Sequence, residues 1–269
     1  MSEERRPLKD WLENVNLRIQ ETMLSCFNNA SIGGWQENHI TTEVIKAIST
    51  AGTDLSWSNC PQRAQWQAYK LSGQHETDYG DIAIFVKVWL VPGRYVEGVA
   101  FYEAKKQYFK SGKTAGFRAL NAGQLSKINR NTSASQVILY DSGASQGACV
   151  TAIPTSFART FAEVGMEGIN GNLLHHYGRP WVVALGNNFR GFELDYSDRA
   201  VATIKQFAEQ NQLPFVINAE VAALPSIDLE LGELPSFLTG YSQIAGDAPT
   251  PAPDSAPTPT RGGGQRFGR

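Results

Sequence analysis

Cysteine is scarce in this chain, and what there is does not pair. The 269 residues hold three, Cys26, Cys60 and Cys149. An odd number, widely spaced, excludes a complete disulfide framework and offers no paired spacing for zinc. Three reduced thiols in a cytoplasmic protein are expected. No apolar run reaches the roughly 18 residues a membrane helix needs, so no membrane partner is expected. The opening, "MSEERRPLKDWLENVN", carries charge without the apolar core of a signal peptide behind it. Neither sign of charge dominates. The formal net charge is −2, and the total announces no polyanionic partner.

One absence is local and more telling. Between Ala104 and Tyr140 there is no Asp or Glu, yet Lys105, Lys106, Lys110, Lys113, Arg118, Lys127 and Arg130 all fall there. A local excess of this kind matters more for binding a polyanion than the chain total. Its plainer reading is a solvated basic helix.

The pattern of apolar residues predicts an α/β fold. Residues 8–28 read as an amphipathic helix, with Leu8, Trp11, Leu12, Val15, Ile19, Met23 and Phe27 at helical spacing. A second helix is expected at 36–50. "AQWQAYKL" (64–71) is ambiguous and reads as a strand because a turn-rich "SGQHETDYG" follows. "DIAIFVKVWLV" (81–91) is apolar on both faces apart from Lys87, as in a central, doubly covered strand. Pro92–Gly93 turns the chain into the strand 97–105. Beyond it are expected a helix at 113–130, a strand at 136–140, a helix at 155–164, a strand "PWVVALG" (180–186), a helix capped by Ser197, and a strand "PFVIN". The strands up to the 113–130 helix would form a meander. Residues 1–34 form an N-terminal helical segment, 35–245 the main domain with a C-terminal α/β extension, and 246–269 a Pro/Ala/Thr/Gly-rich disordered tail.

The stretch "VAFYEAKKQYF" (99–109) starts as a buried strand, then puts Glu103 and Lys105 on the face that carries Val99 and Phe101. A two-residue loop at Pro92–Gly93 would pair Val91 with Arg94 and place Asp81 opposite Ala104, flanked by Glu103 and Lys105; Pro-Gly is not the favoured hairpin turn, so a slip of a residue or two is allowed for. Two helices each add one polar residue to an apolar stripe. Glu37 lies in line with Ile40, Val44 and Ile48; Gln124 lies among Phe117, Leu120 and Ile128. Inward Glu and Gln cost free energy unless something pairs with them. Glu43, with Lys46 nearby, faces solvent in projection.

"GDIAIFV" some twenty residues before "FYEAKKQY" resembles the PD-(D/E)XK nuclease superfamily, in which an acidic residue opens one strand and Glu-x-Lys closes the next. Asp81, Glu103 and Lys105 fill the three signature positions. Glu37 resembles the additional acidic residue that many members carry on the preceding helix, and Gln124 the glutamine of several subfamilies, RecB-like nucleases among them. The chain departs from that pattern at Ile128, where a QxxxY motif has tyrosine, and at Gly80, where many members have proline. The likeness covers residues 35–141 and names no subfamily. It implies a restriction-endonuclease-like core, a central mixed sheet with an antiparallel hairpin flanked by helices.

It also implies Mg²⁺ (or Mn²⁺) chemistry on phosphodiesters, because a hard cation prefers carboxylate oxygens and neutralises phosphate charge. Asp81 and Glu103 would be the principal ligands, with the Ala104 carbonyl and Glu37 completing the metal set. Lys105 would orient the attacking water or stabilise developing charge, and Gln124 would position water or phosphate. Lys106, Lys110, Lys113, Arg118, Lys127 and Arg130 would hold the nucleic-acid backbone. DNA is expected over RNA, with a protein partner or homo-oligomer left open. Restriction or antiphage defence is the expected setting, chosen on how often such cores occur there. The rival reading is a non-catalytic nucleic-acid-binding or complex-assembly protein that keeps the fold.

Several other residues read more plainly. His39 projects off its stripe to the surface. His175–His176 has no acidic partner nearby in sequence and reads as a loop or core pair, not a zinc site. Glu76 and Asp78 are alternative ligands. Trp35, Trp57 and Trp66 read as core, and "GASQG" (143–147) lacks the phosphate-loop ending.

Overall fold

A computed structural model describes residues 7–72, 80–110, 113–117, 120–142, 149–164, 171–224, 226–229, 231, 232 and 234–246. In α1 (Leu8–Asn28) the buried Trp11, Val15, Ile19 and Met23 recur every four residues, so one stripe faces inward. α2 (Glu37–Thr50) buries Ile40, Val44 and Ile48 by the same rule. Then come β1 (Asp54–Ser56), β2 (Arg63–Leu71), β3 (Ile82–Val91) and β4 (Arg94–Lys106). A separate ribbon of β5 (Tyr108–Lys110) and β6 (Lys113–Gly116) leads to α3 (Ala122–Asn131). The chain continues through β7 (Ser135–Asp141), β8 (Cys149–Pro154), α4 (Thr155–Glu163), a 3₁₀ segment (Gly171–Tyr177) and β9 (Arg179–Pro180). It ends with α5 (Trp181–Asn188), α6 (Asp198–Glu209), β10 (Phe215–Ala222) and β11 (Tyr241–Ile244).

The fold is α/β, with a mixed central sheet flanked by helices. Strand order is β1-β2-β10-β3-β4-β7-β8-β9, and β11 pairs with β2. The pairs β10–β3 and β4–β7 are parallel. Alternation along the strands feeds two cores. Ala100, Tyr102 and Ala104 of β4 face one side, with residues of α1, α2 and α5. Val99 and Phe101 face the other, with residues of α3, α4 and α6. Among the described residues no helix is long and apolar enough to cross a membrane.

Four expectations need correction. The meander is interrupted: β10 lies between β2 and β3, because its residues Phe215, Val216, Ile217 and Ala219 are apolar on both faces and need cover on both. What reads as an appended extension thus supplies the middle of the sheet. The expected 113–130 helix starts only at Ala122, where the Asn121 side chain caps it by accepting from the Gln124 N–H at 3.1 Å. Before it, β6 pairs with β5, and Gly116 leaves that strand at φ 76°. "PWVVALG" is not a strand but the start of α5, with Pro180 just before its first residue. A short run buried all round is equally compatible with either structure, so periodicity could not separate them. Finally, the hairpin register slides by one at Leu90: Val91 pairs with Arg94, but Trp89 pairs with Tyr95 and Ile82 with Tyr102. Continued one residue beyond β3, that register sets Asp81 against Glu103 and not Ala104. Trp35, Trp57 and Trp66 are buried, as expected. The 246–269 tail lies outside the described residues, apart from Gly246.

Candidate active site

β4 outruns its neighbour. β3 begins at Ile82, opposite Tyr102, while β4 runs on to Lys106. Along that edge, among the described residues, the N–H groups of Ala104 and Lys106 have no strand to meet, and buried N–H groups must find acceptors. Carboxylates take the place of the missing strand. Asp81 Oδ2 accepts from the Ala104 N–H at 2.7 Å, and Glu37 Oε2, from the first turn of α2, accepts from the Lys106 N–H at 3.1 Å. Gly80 lets the chain reach this position. It adopts φ 115°, and a Cβ there would lie 2.9 Å from Phe101 Cζ.

The side chains of Glu103 and Lys105 meet at the same place. The Lys105 ammonium donates to Glu103 Oε1 and stands 3.8 Å from Glu37 Oε1. Glu103 is only 1% exposed, and its second oxygen, Oε2, is buried without a hydrogen-bond partner. Three carboxylates thus share one ammonium in a buried setting. Burial, then the Asp81 charge, pushes the Glu103 carboxyl up to about 8 despite Lys105. The same two causes raise Glu37 to about 7, and burial raises Asp81. For Lys105, burial alone would lower the pKa, but Glu103, Glu37 and Asp81 together outweigh it and raise it. If ionised, the three carboxylates outnumber the Lys105 ammonium by two; the Lys106 charge acts on Glu37 only as the least of its influences, and the surplus is costly away from water.

The set suits a hard divalent cation, given oxygen-only donors, an orphaned Glu103 oxygen and surplus negative charge. It is not a preassembled ligand cage. Among the described residues no three His, Cys, Asp or Glu side chains form a metal-binding group. Lys105 engages Glu103, while Asp81 and Glu37 each engage a backbone N–H. Ala104 contributes its N–H to Asp81, a role the sequence reading did not give it.

The remaining expected residues divide. Gln124 sits half-buried in the first turn of α3, and among the described residues its side chain makes no hydrogen bond to the carboxylates. Lys106 is not free to grip a backbone: its ammonium donates to the Trp35 carbonyl at 2.6 Å and lies 5.7 Å from the centroid of the Tyr108 ring. Lys127 and Arg130 are exposed on α3. Arg118 and the side chains of Lys110 and Lys113 lie outside the described residues, as do Glu76, Asp78 and residues 143–147. His39 is exposed, and Glu43 pairs with Lys46 at 2.9 Å.

Sequence reasoning missed two neighbours. Tyr140 and Thr41 share a 2.8 Å hydrogen bond, and the Tyr140 hydroxyl is held protonated chiefly by burial, with the Asp81 and Glu37 charges adding to it. A hydroxyl on α2 one turn after Glu37 was the available signal. The second is Asp141, which lies beside His175, with Nδ1 to Oδ2 at 3.4 Å. That pairing joins residues far apart in sequence and left no local signal.

Comparison with protein-family models, with characterised proteins and with solved structures gave no match.

Proposed function

We propose that this chain is a metal-dependent nuclease that hydrolyses phosphodiester bonds in DNA, with a PD-(D/E)XK-type site in a restriction-endonuclease-like core. The observation that carries the reading is the excess of carboxylate over ammonium at the open end of β4, with Glu103 Oε2 left unpaired. An edge cap needs one carboxylate per N–H; it does not need a third, buried one.

Asp81, Glu103 and Glu37, with the Ala104 carbonyl, would hold Mg²⁺ or Mn²⁺. When bound, the cation neutralises phosphate charge and acidifies water. Lys105 is the residue that must move: released from Glu103, its ammonium can orient the attacking water or meet charge developing on the phosphate. Gln124, half-buried on the helix layer that covers the Glu103–Lys105 face, can hold a water or a phosphate oxygen. Lys127 and Arg130 supply backbone contacts that carry no sequence information. A role in restriction or antiphage defence fits such an enzyme.

The test is incubation of purified protein with plasmid, linear DNA and RNA, in Mg²⁺ or in EDTA, beside Asp81→Ala and Lys105→Ala. Cleavage in Mg²⁺ that both substitutions abolish supports the assignment. Cleavage that survives both overturns it. One observation favours a second reading, a non-catalytic nucleic-acid-binding or assembly protein: Lys105 is already committed to Glu103. Binding without cleavage under every metal condition would establish that reading instead.

A further inference from the structure

The face that carries Glu103 and Lys105 holds a second pair of ionisable groups, which the proposed chemistry has not used. Lys105 of β4 is in register with Leu139 of β7. Asp141 is two residues further along β7, so it shares the face. Two steps of about 3.3 Å along a strand and one spacing of about 4.8 Å between strands put its Cα about 8 Å from that of Lys105. Its side chain is 9% exposed and lies 3.4 Å from Nδ1 of His175, itself 14% exposed.

His175 is firmly placed. Leu174 before it is buried in the core on that face, and the 3₁₀ segment packs against β6 and β8. Gly178 admits no side chain, because a Cβ there would lie 2.3 Å from Thr151 Cγ2. The ring of His176 lies against that of His175, centroids 4.1 Å apart. Cys149, opposite Asp141 on β8, adds a half-buried thiol whose pKa is raised by burial, by more than the nearby Asp141 charge. Nδ1 of His175 is buried beside Asp141 without an aligned hydrogen bond, and among the described residues Nε2 makes none.

We propose that His175, oriented by Asp141, is the general acid that protonates the leaving sugar oxygen during phosphodiester cleavage; this rests on the nuclease reading above. The oxygen of water forms a bond to phosphorus as the bond from phosphorus to the sugar oxygen breaks. That bond's electron pair stays on the sugar oxygen, which takes the proton from Nε2 of the imidazolium. The water's proton goes to solvent, and the neutral imidazole regains one from solvent. Asp141 is a positioning residue: its carboxylate, 3.4 Å from Nδ1, accepts a hydrogen bond from the Nδ1–H once the ring is charged and stabilises the imidazolium.

A leaving group that needs no proton isolates this step. The full-length protein, His175→Ala, His175→Gln and Asp141→Asn are assayed in Mg²⁺ on DNA oligonucleotides. One set is all-oxygen; in the other, sulfur replaces the bridging oxygen that leaves. His175→Ala is expected to slow the all-oxygen substrate about 10²–10³-fold and the sulfur substrate less than about threefold. Asp141→Asn should show a smaller loss with the same selectivity. Equal slowing of both substrates, or no slowing, overturns the proposal. If thermal melting shows that His175→Ala does not fold, His175→Gln decides by the same criterion. Wild-type protein that cleaves neither substrate removes the nuclease reading itself, a result distinct from active wild type with an unaffected variant.

Discussion

Asp81 and Ala104 are joined by a 2.7 Å hydrogen bond in which a carboxylate, not a neighbouring strand, receives the strand's N–H. The bond gives one residue two duties: it finishes the edge of β4 and holds a negative charge at the site. Asparagine can perform the first duty only.

Asp81→Asn and Asp81→Ala separate them. Both remove the charge, so both should lower Mg²⁺-dependent cleavage by at least about 100-fold. Only alanine leaves the Ala104 N–H without an acceptor, which costs about 1–3 kcal/mol. Denaturant unfolding should therefore find the alanine variant less stable than the asparagine variant by that amount. Equal stabilities would show that the bond contributes nothing.

Glu103→Gln tests the electrostatics. The Glu103 and Glu37 pKa values, about 8 and about 7 in the fold, stand above their ordinary 4.5. A raised carboxyl pKa means the folded state holds protons that the unfolded chain gives up. The stability these groups contribute is thus present below pH 4.5 and is lost as pH rises through 7 to 8. Lys105, raised above its ordinary 10.5, stays charged across this window. Without metal, Glu103→Gln should match wild type near pH 4 and exceed it by on the order of 4 kcal/mol near pH 8.5. Mg²⁺ should narrow the gap by stabilising wild type, by about 2.7 kcal/mol at 100 times its Kd. Thermal melts over pH, with and without Mg²⁺, check both effects; a gap that does not grow with pH defeats the account.

The basic residues should behave unequally. Lys127→Ala with Arg130→Ala should weaken DNA binding across all sequences and reduce the slope of log K against log salt by about 2. Lys106→Ala should leave that slope unchanged, because its ammonium is engaged by the Trp35 carbonyl. Fluorescence titrations between 50 and 200 mM salt, about the range in which such slopes are usually read, distinguish the two.

Local period carried much of the fold into view. The stripes of α1 and α2, the doubly apolar β3 and the Ser197 cap of α6 are all nearest-neighbour patterns, and the structure contains each of them. What depends on distant partners did not show. Nothing within Phe215–Ala222 says that it enters between β2 and β3, and nothing in Trp181–Asn188 separates a buried helix from a buried strand. The convergence of Asp81, Glu103, Lys105 and Glu37 was legible because one turn and one helical row determine it. The one-residue slip at Leu90 changed Asp81's opposite number without moving it away from them. Gln124 was placed by extending a helix through residues that pair as β6, and the Asp141–His175 contact depends on a 3₁₀ segment over thirty residues away.

The central place of β10 also governs when the site can exist. During synthesis β3 and β4 leave the ribosome more than a hundred residues before β10, and the slot between β2 and β3 must stay unclosed until residues 215–222 arrive. Such long-range pairing is a late event in folding. Asp81, at the head of β3, donates its own backbone N–H to Tyr102 and accepts through its carbonyl from Phe215, so its final position waits on the end of the chain. A nascent polypeptide, or one cut before Phe215, carries every acidic residue of the cluster and still lacks the frame that brings them together.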